Sequence, residues 1–227
     1  VASNENDSKR DNVNANFNYR YVATSGTQLN IDADYGYFKI RGNQFQPNDY
    51  FDGTGSTKLY SNVYRMISPT DITITSLKAD YERDFYKGRL GFGGKIGYVK
   101  TDNDFKRYDV FGSNEIYDKD KSNRFKYTEN INAVYANYNR AFKGFMIQAG
   151  VRAENTVSDG TSTGLKYNNN SGKYEDYDSS IHRNYLDVFP SAAITFNKNP
   201  MSQFGITYSR RIDRPAYQDL NPFEFKL

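Results

Sequence analysis

Strand-like runs in this chain are joined alternately by short turns and by long polar stretches, and that rotation constrains the fold more than any bulk property. The short connections fall at residues 24–28, 86–88, 141–144 and 197–200, and the long ones at 41–70, 101–126 and 155–183. A soluble two-layer sheet has no reason to sort its connections by side. A sheet whose two ends meet different surroundings does: one end keeps its turns tight while the other lets them grow.

The runs themselves alternate with a period of two, which sends successive side chains to opposite faces of a strand. Val13, Ala15, Phe17, Tyr19 and Tyr21 share one face, and Asn14, Asn16, Asn18 and Arg20 share the other. After the turn, Leu29, Ile31, Ala33, Tyr35 and Tyr37 alternate with Asn30, Asp32, Asp34 and Gly36. A third strand is expected over 71–85, where Leu77, Ala79 and Tyr81 oppose Lys78, Asp80 and Glu82, and the shifted parity of Ile72 and Ile74 predicts a bulge near Thr75 and Ser76. The fourth carries Leu90, Phe92, Gly94, Ile96 and Tyr98 on one side and Arg89, Gly91, Gly93, Lys95 and Gly97 on the other. Its glycines fit a close approach by another backbone.

In the fifth, over 127–140, Ile131, Ala133 and Tyr135 compete with Val134, Ala136 and Tyr138, and the pattern assigns no face. The sixth is clear, with Phe145, Ile147, Ala149, Val151 and Ala153 against Gln148, Arg152 and Glu154. The seventh offers Leu186, Val188, Ala192, Ile194 and Phe196 around Pro190, which a central strand tolerates poorly without a bulge. The eighth sets Phe204, Ile206 and Tyr208 opposite Gln203, Thr207, Ser209 and Arg211.

The expected fold is therefore all-β: an antiparallel up-and-down transmembrane β-barrel segment, about eight strands in four hairpins, with residues 1–227 as one partial barrel domain. No run of about 18 apolar residues exists, so a membrane-spanning helix is excluded. The mean hydropathy of -0.85 does not exclude a barrel, because only every second strand residue meets lipid. The chain has 21 Tyr and 16 Phe and no Trp. Tyr suits both strands and membrane interfaces, and the aromatics gather near strand ends as two girdles would. Cysteine is absent and the net charge is only +3 with the two signs interspersed, so neither thiolate metal sites nor nucleic-acid binding is expected. The stretch 1–12 is polar without an apolar leader, so an exported chain is expected to have lost its signal or to begin inside a longer sequence.

With the short turns on the periplasmic side, both chain ends fall on the extracellular side. Complete small barrels keep their ends in the periplasm, so a slice of a larger barrel is expected. The hydrophilic faces then point inward, and Arg20, Asp32, Asp34, Lys95, Gln148, Arg152 and Glu154 are the lumen-facing candidates.

The segment Tyr208, Ser209, Arg210, Arg211, Ile212, Asp213, Arg214, Pro215, Ala216, Tyr217, Gln218, Asp219, Leu220, Asn221, Pro222 and Phe223 resembles a signature stretch in the barrel of TonB-dependent outer-membrane receptors of Bacteroidetes-type bacteria. Phe189, Pro190 and Ser191, and the run Gly150, Val151, Arg152, Ala153, Glu154, Asn155 and Thr156, support the match. The resemblance implies a barrel of about 22 strands, of which this chain supplies roughly a third. It also implies an amino-terminal plug domain, energy delivered by the TonB complex, the Gram-negative outer membrane as location with its lipid as partner, and a possible surface lipoprotein lid. Neither the plug nor the strands that follow the Asn-Pro-Phe segment lie within these residues. The implied role is a wall segment for energised uptake of a nutrient, without enzymatic activity or cofactor.

Other chemistry is weakly represented. His182 is the single histidine and sits in a polar stretch, as a loop residue would, although an outer-membrane hydrolase would need it. Asp102 and Asp104, Asp118 and Asp120, and Asp176 and Asp178 lack the spacing of a complete calcium loop. Arg210, Arg211 and Arg214 suit bidentate pairing with a carboxylate such as Glu154, or with lipid phosphates, and Pro215 is expected to stop the ladder after them. The competing class is a secreted or surface-exposed β-sheet module for glycan binding or adhesion, whose tyrosines stack on sugars.

Overall fold

The computed structural model describes residues 2–199 and 202–213. They form one antiparallel meander, β1 (Glu5–Val22), β2 (Gln28–Phe51), β3 (Lys58–Phe85), β4 (Gly88–Phe111), β5 (Asn114–Phe142), β6 (Phe145–Asn168), β7 (Lys173–Asn199) and β8 (Ser202–Ser209), with each strand paired to its sequence neighbours. Among the described residues there is no helix. The sheet is open, so β1 and β8 each pair on one side only.

The pairing brings the apolar sets into continuous rows. Tyr21, Leu29, Tyr81, Phe92, Ala136, Val151 and Pro190 lie side by side across β1 to β7. Further rows add Ala33, Leu77 and Ile96, and at the other end Ile147, Ile194 and Ile206. These side chains are exposed rather than sandwiched: Val13, Phe17, Val134, Leu186 and Ile206 each show 60% or more of their surface. On β4 the band runs from Leu90 to Tyr98 and on β6 from Phe145 to Ala153, which matches the ~9–11 residues a tilted strand needs to cross a bilayer. An exposed apolar belt of this width is stable only in lipid.

Part of the opposite face, toward the ribbons of β4 to β6, is buried without any second layer. Along β6, Glu154, Thr156, Ser158, Gly160 and Ser162 are buried, each followed by a more exposed residue. Thr101, Phe105, Phe125 and Tyr127 on β4 and β5 share that face and are buried as well. A single sheet buries one face only by curving toward it, so this face is concave and its side chains converge.

Three expectations need correction. Residues 41–70, 101–126 and 155–183 are not loops. Their strands continue in register far past the apolar band and turn at 52–57, 112–113 and 169–172, so each is a long β-ribbon. Outside lipid the convex face turns polar as well and period two loses its contrast, yet the backbone ladder still satisfies every peptide group it pairs. Side chains secure the tips: Asp52 Oδ1 accepts from Thr54 Oγ1 (2.8 Å) and from the amides of Ser56 (3.1 Å) and Thr57 (3.3 Å). Each ribbon also carries a cross-strand tyrosine pair, Tyr50 with Tyr60, Tyr108 with Tyr117 and Tyr167 with Tyr174, at ring separations of 4.4, 5.4 and 5.3 Å.

The bulge expected at Thr75 and Ser76 is absent. Register runs unbroken there on both sides of β3, so Ile72 and Ile74 face the concave side beside Phe38 and Val99. Register shifts fall instead between Tyr50 and Phe51, between Phe196 and Asn199, and between Phe105 and Arg107, the last opposite an excursion of β5 at 119–122.

Pro190 sits in β7 opposite Val151 without a bulge. Its carbonyl accepts from the Arg210 amide (3.1 Å), which shows that its nitrogen side faces β8. Having no N–H, it cannot return that bond, and β8 ends at Ser209. The stop is therefore cross-strand, ahead of Pro215, which lies outside the described residues together with Arg214, Leu220, Asn221, Pro222 and Phe223.

Candidate functional site

The concave face at the level of the apolar band is a stripe of charge. The register places Arg20, Asp32, Asp34, Lys95, Gln148, Arg152 and Glu154 on it, along with Lys78, Asp80, Glu82, Tyr135 and Asp187, which period two alone did not single out for contact. On β1 and β2 the groups are amides and acids. Asp34 accepts from Asn16 (2.7 Å) and Ser76 (2.9 Å), Asn18 donates to Asp32, and Arg20 donates to Gln28 (3.2 Å).

Toward the middle, ion pairs take over. Lys78 pairs with Asp80 (2.6 Å), Arg89 with Glu82 (2.8 Å) and Arg152 with Glu154 (2.6 Å). Tyr135 links two of these pairs: its hydroxyl donates to Asp80, and its ring lies 5.5 Å from the Arg152 guanidinium. The reach is possible because Gly93 stands between Asp80 and Tyr135 in the register. A Cβ there would come within 2.5 Å of the Ala79 carbonyl oxygen and 2.8 Å of the Tyr135 hydroxyl. What the glycines of β4 admit is thus a crossing side chain as much as a neighbouring backbone. The same arrangement settles β5: Val134, Ala136 and Tyr138 join the lipid-facing rows, while Ile131, Ala133 and Tyr135 face inward.

Arg210 extends the stripe to the β7 edge. It donates to Asp187 (2.8 Å) and to the Val188 carbonyl (2.6 Å), and it lies 5.5 Å from the Phe189 ring. Its carboxylate partner is therefore Asp187, the register neighbour of Glu154, while Glu154 belongs to Arg152. Arg211 is exposed. The stripe neutralises itself laterally, through pairs along and across the strands.

The remaining candidates are ordinary ribbon chemistry. His182 Nδ1 meets Asp159 Oδ1 at 2.6 Å on the convex face above the apolar band, with both side chains more than half exposed. Asp102 is held by Arg124 (2.8 and 2.7 Å), Asp104 by Lys106 (2.9 Å), Asp118 by Lys121 (3.6 Å), and Asp120 by the Tyr167 amide (3.0 Å) and the Tyr174 hydroxyl (3.1 Å). The Arg124 bond holds the Asp102 carboxyl below its usual range, with Lys126 and Lys100 adding to the effect against partial burial. Among the described residues no cluster of acids or histidine is arranged to hold a metal. The Tyr127 phenol is pushed up to about 12, first by burial and then by Glu129, whose carboxylate accepts its hydrogen at 2.8 Å.

Comparison with known proteins agrees with this architecture. No curated protein sequence matches the chain. Among solved structures, the closed form of the ferric-catecholate import receptor Fiu from E. coli K12 matches with a TM-score of 0.60 at 11% identity, over 90% of this chain and 33% of that one. The ferric yersiniabactin uptake receptor FyuA from Yersinia pestis gives 0.57 at 13% identity, over 83% and 26%. The siderophore receptor PiuA from Acinetobacter baumannii gives 0.57 at 15%, over 85% and 31%. This chain thus spans a third or less of the length of those receptors and shares the fold of part of their barrel. The family model described as "Outer membrane protein beta-barrel family" matches residues 20–227. The chain belongs to that family, and its place is the outer membrane of a Gram-negative cell.

Proposed function

We propose that residues 1–227 form part of the wall of a TonB-dependent receptor that imports a nutrient by energised uptake. The observation that carries the reading is the charged concave stripe from Asp34 through Asp80, Tyr135 and Arg152 to Arg210, lying directly behind a lipid-facing apolar band. A barrel interior filled by its own apolar side chains needs no such stripe; an interior that holds a removable polar plug does. The open edges of β1 and β8 support further strands, since unpaired backbone in hydrocarbon costs several kcal/mol per group. The long ribbons then stand outside the cell as the first contact with substrate. The Gram-negative receptors that share this fold import ferric chelates, which makes a ferric chelate the first substrate to try.

The test is uptake of radio-iron chelates and growth under nutrient limitation by cells expressing the full-length protein, with and without tonB. Uptake that needs both the protein and TonB supports the reading. Uptake that persists undiminished without TonB, or collapse of the inner membrane potential without effect, overturns it.

A further inference from the structure

The three ribbons stand side by side outside the lipid, and the two seams between them are closed by different means. Across the first seam, between β3 and β4, the backbone ladder continues to Tyr64 and Asp109, almost to the turn of the second ribbon. Arg65 adds an ion pair to Glu115 (3.1 Å), and the Arg107 guanidinium lies 3.8 Å from the centre of the Tyr64 ring. Across the second seam, between β5 and β6, the ladder stops at Asn123 and Gly164. Beyond that point β5 pairs only with β4, as far as Asn114, and β6 only with β7, as far as Asn168. Among the described residues no ladder pair holds the upper third ribbon to the second.

A side-chain bridge spans that gap. It starts where residues 119–122 of β5 oppose Lys106 of β4 alone, and the excess is folded into a tight turn. Asp118 Oδ1 accepts from the Lys121 amide (3.1 Å), the Asp118 carbonyl accepts from the Ser122 hydroxyl (2.6 Å), and Ser122 Oγ accepts from the Arg107 amide (3.0 Å). Ser122 is buried, so the base of the turn is fixed.

From this turn Asp120 reaches the third ribbon. One carboxylate oxygen accepts from the Tyr167 amide (3.0 Å) and the other from the Tyr174 hydroxyl (3.1 Å). The Lys119 ammonium lies 5.0 Å from the centre of the Tyr174 ring. Tyr167 and Tyr174 are paired across the third ribbon just below its turn, so one carboxylate grips both of its strands. The Tyr167 amide points toward β5, where a ladder carbonyl would stand had β5 kept its register. The carboxylate takes that place, and an ionised acceptor makes the stronger bond.

We infer that Asp120 is a latch that closes the seam between β5 and β6 beyond Asn123 and Gly164, so that the three ribbons move as one wall. Contacts then run unbroken from the first ribbon to the third: Tyr64 under Arg107, Arg107 to Ser122, Ser122 to Asp118, and Asp120 to Tyr167 and Tyr174. Once released, the third ribbon swings away from the second and opens a side gap. The first seam needs no latch, because its ladder holds it. The latch depends neither on TonB nor on the nature of any imported substrate.

The test uses the full-length protein in detergent micelles, freed of other cysteines and spin-labelled at the ribbon turns through Gly53→Cys, Ser113→Cys and Asn170→Cys. A Cβ at Gly53 meets nothing within 4 Å. Pulsed electron resonance measures the distance from position 53 to 113 and from 113 to 170. Both distributions are expected to be single and narrow. Asp120→Ala is expected to lose the narrow peak between 113 and 170 while keeping the one between 53 and 113. Amide exchange at Tyr167 should quicken about ten-fold in that variant, and less in Asp120→Asn, which keeps one acceptor. Heat-modifiable mobility on gels verifies folding of every variant. A narrow 113–170 peak in the folded Asp120→Ala variant overturns the inference, as does a 113–170 distribution already broad in wild type, or loss of both peaks together.

Discussion

Tyr135 on β5 reaches across Gly93 of β4 to donate its hydroxyl to Asp80 on β3, so one side chain ties three strands together. Removing that hydroxyl with Tyr135→Phe leaves a carboxylate short of a donor and is expected to cost about 1–3 kcal/mol. Gly93→Ala is expected to cost as much, since the new Cβ meets backbone oxygen at 2.5 Å. Urea unfolding of the full-length protein in detergent micelles measures both. Combining the two changes should cost less than their sum, because each breaks the same crossing.

The β3 to β4 hairpin turns on Tyr86 and Lys87, with φ of 45° and 60°. Both are in the left-handed region that two-residue type I′ turns demand and that Asn-Gly satisfies most easily. Replacing the pair by Tyr86→Asn and Lys87→Gly relieves a steric cost of about 1–2 kcal/mol per residue at most. The urea midpoint is expected to rise. An unchanged or lower midpoint would show that the Tyr86 ring, 4.6 Å from Phe85, outweighs the backbone term.

The Asp102–Arg124 pair lies in the second ribbon, outside lipid. Arg124→Ala is expected to cost a few tenths to about 1 kcal/mol at pH 7, the range of partly exposed pairs. Because Asp102 is held below its ordinary 3.8, its contribution is fully present above that value and is lost as pH falls through the lower folded value. The difference between wild type and variant should therefore persist down to about pH 4 and fade below it. Hydrogen exchange of the ribbon amides across that pH range checks the sign.

Pro190 denies β8 its next ladder bond. Pro190→Ala restores a donor facing Arg210 and is expected to lengthen the β7–β8 pairing past Ser209. The measurement is amide exchange at position 190 and at Ile212, the next residue whose amide would face β7, which should be protected in the variant. Exchange as fast as in wild type would mean that the chain leaves the sheet for another reason.

How much of this was legible in the sequence follows from where contrast exists. In β1, β2, β4 and β6 apolar and polar residues write period two plainly, and the register keeps each alternating set on one face. β5 was illegible because its inward aromatic, Tyr135, answers a glycine on the neighbouring strand; the signal lay in the cross-strand pair, not in β5. Ile72 and Ile74 misled for a related reason, since the concave face above the charged stripe is itself partly apolar. The ribbons were mistaken for loops because neither face there is hydrocarbon-bound, so polar sequence conceals regular pairing. The charged stripe was visible as candidates, but its partners, Arg210 with Asp187 rather than Glu154, needed the register.

Each ribbon is a direct continuation of two strands embedded in the bilayer. Such a hairpin can change length freely only at its tip, where paired residues are gained or lost together. A single residue inserted lower down reverses every side chain beyond it, unless it is absorbed as a kink of the kind found between Phe105 and Arg107. Divergence among relatives should therefore concentrate at the crests and at that kink, leaving the shafts as the conserved ruler of the molecule.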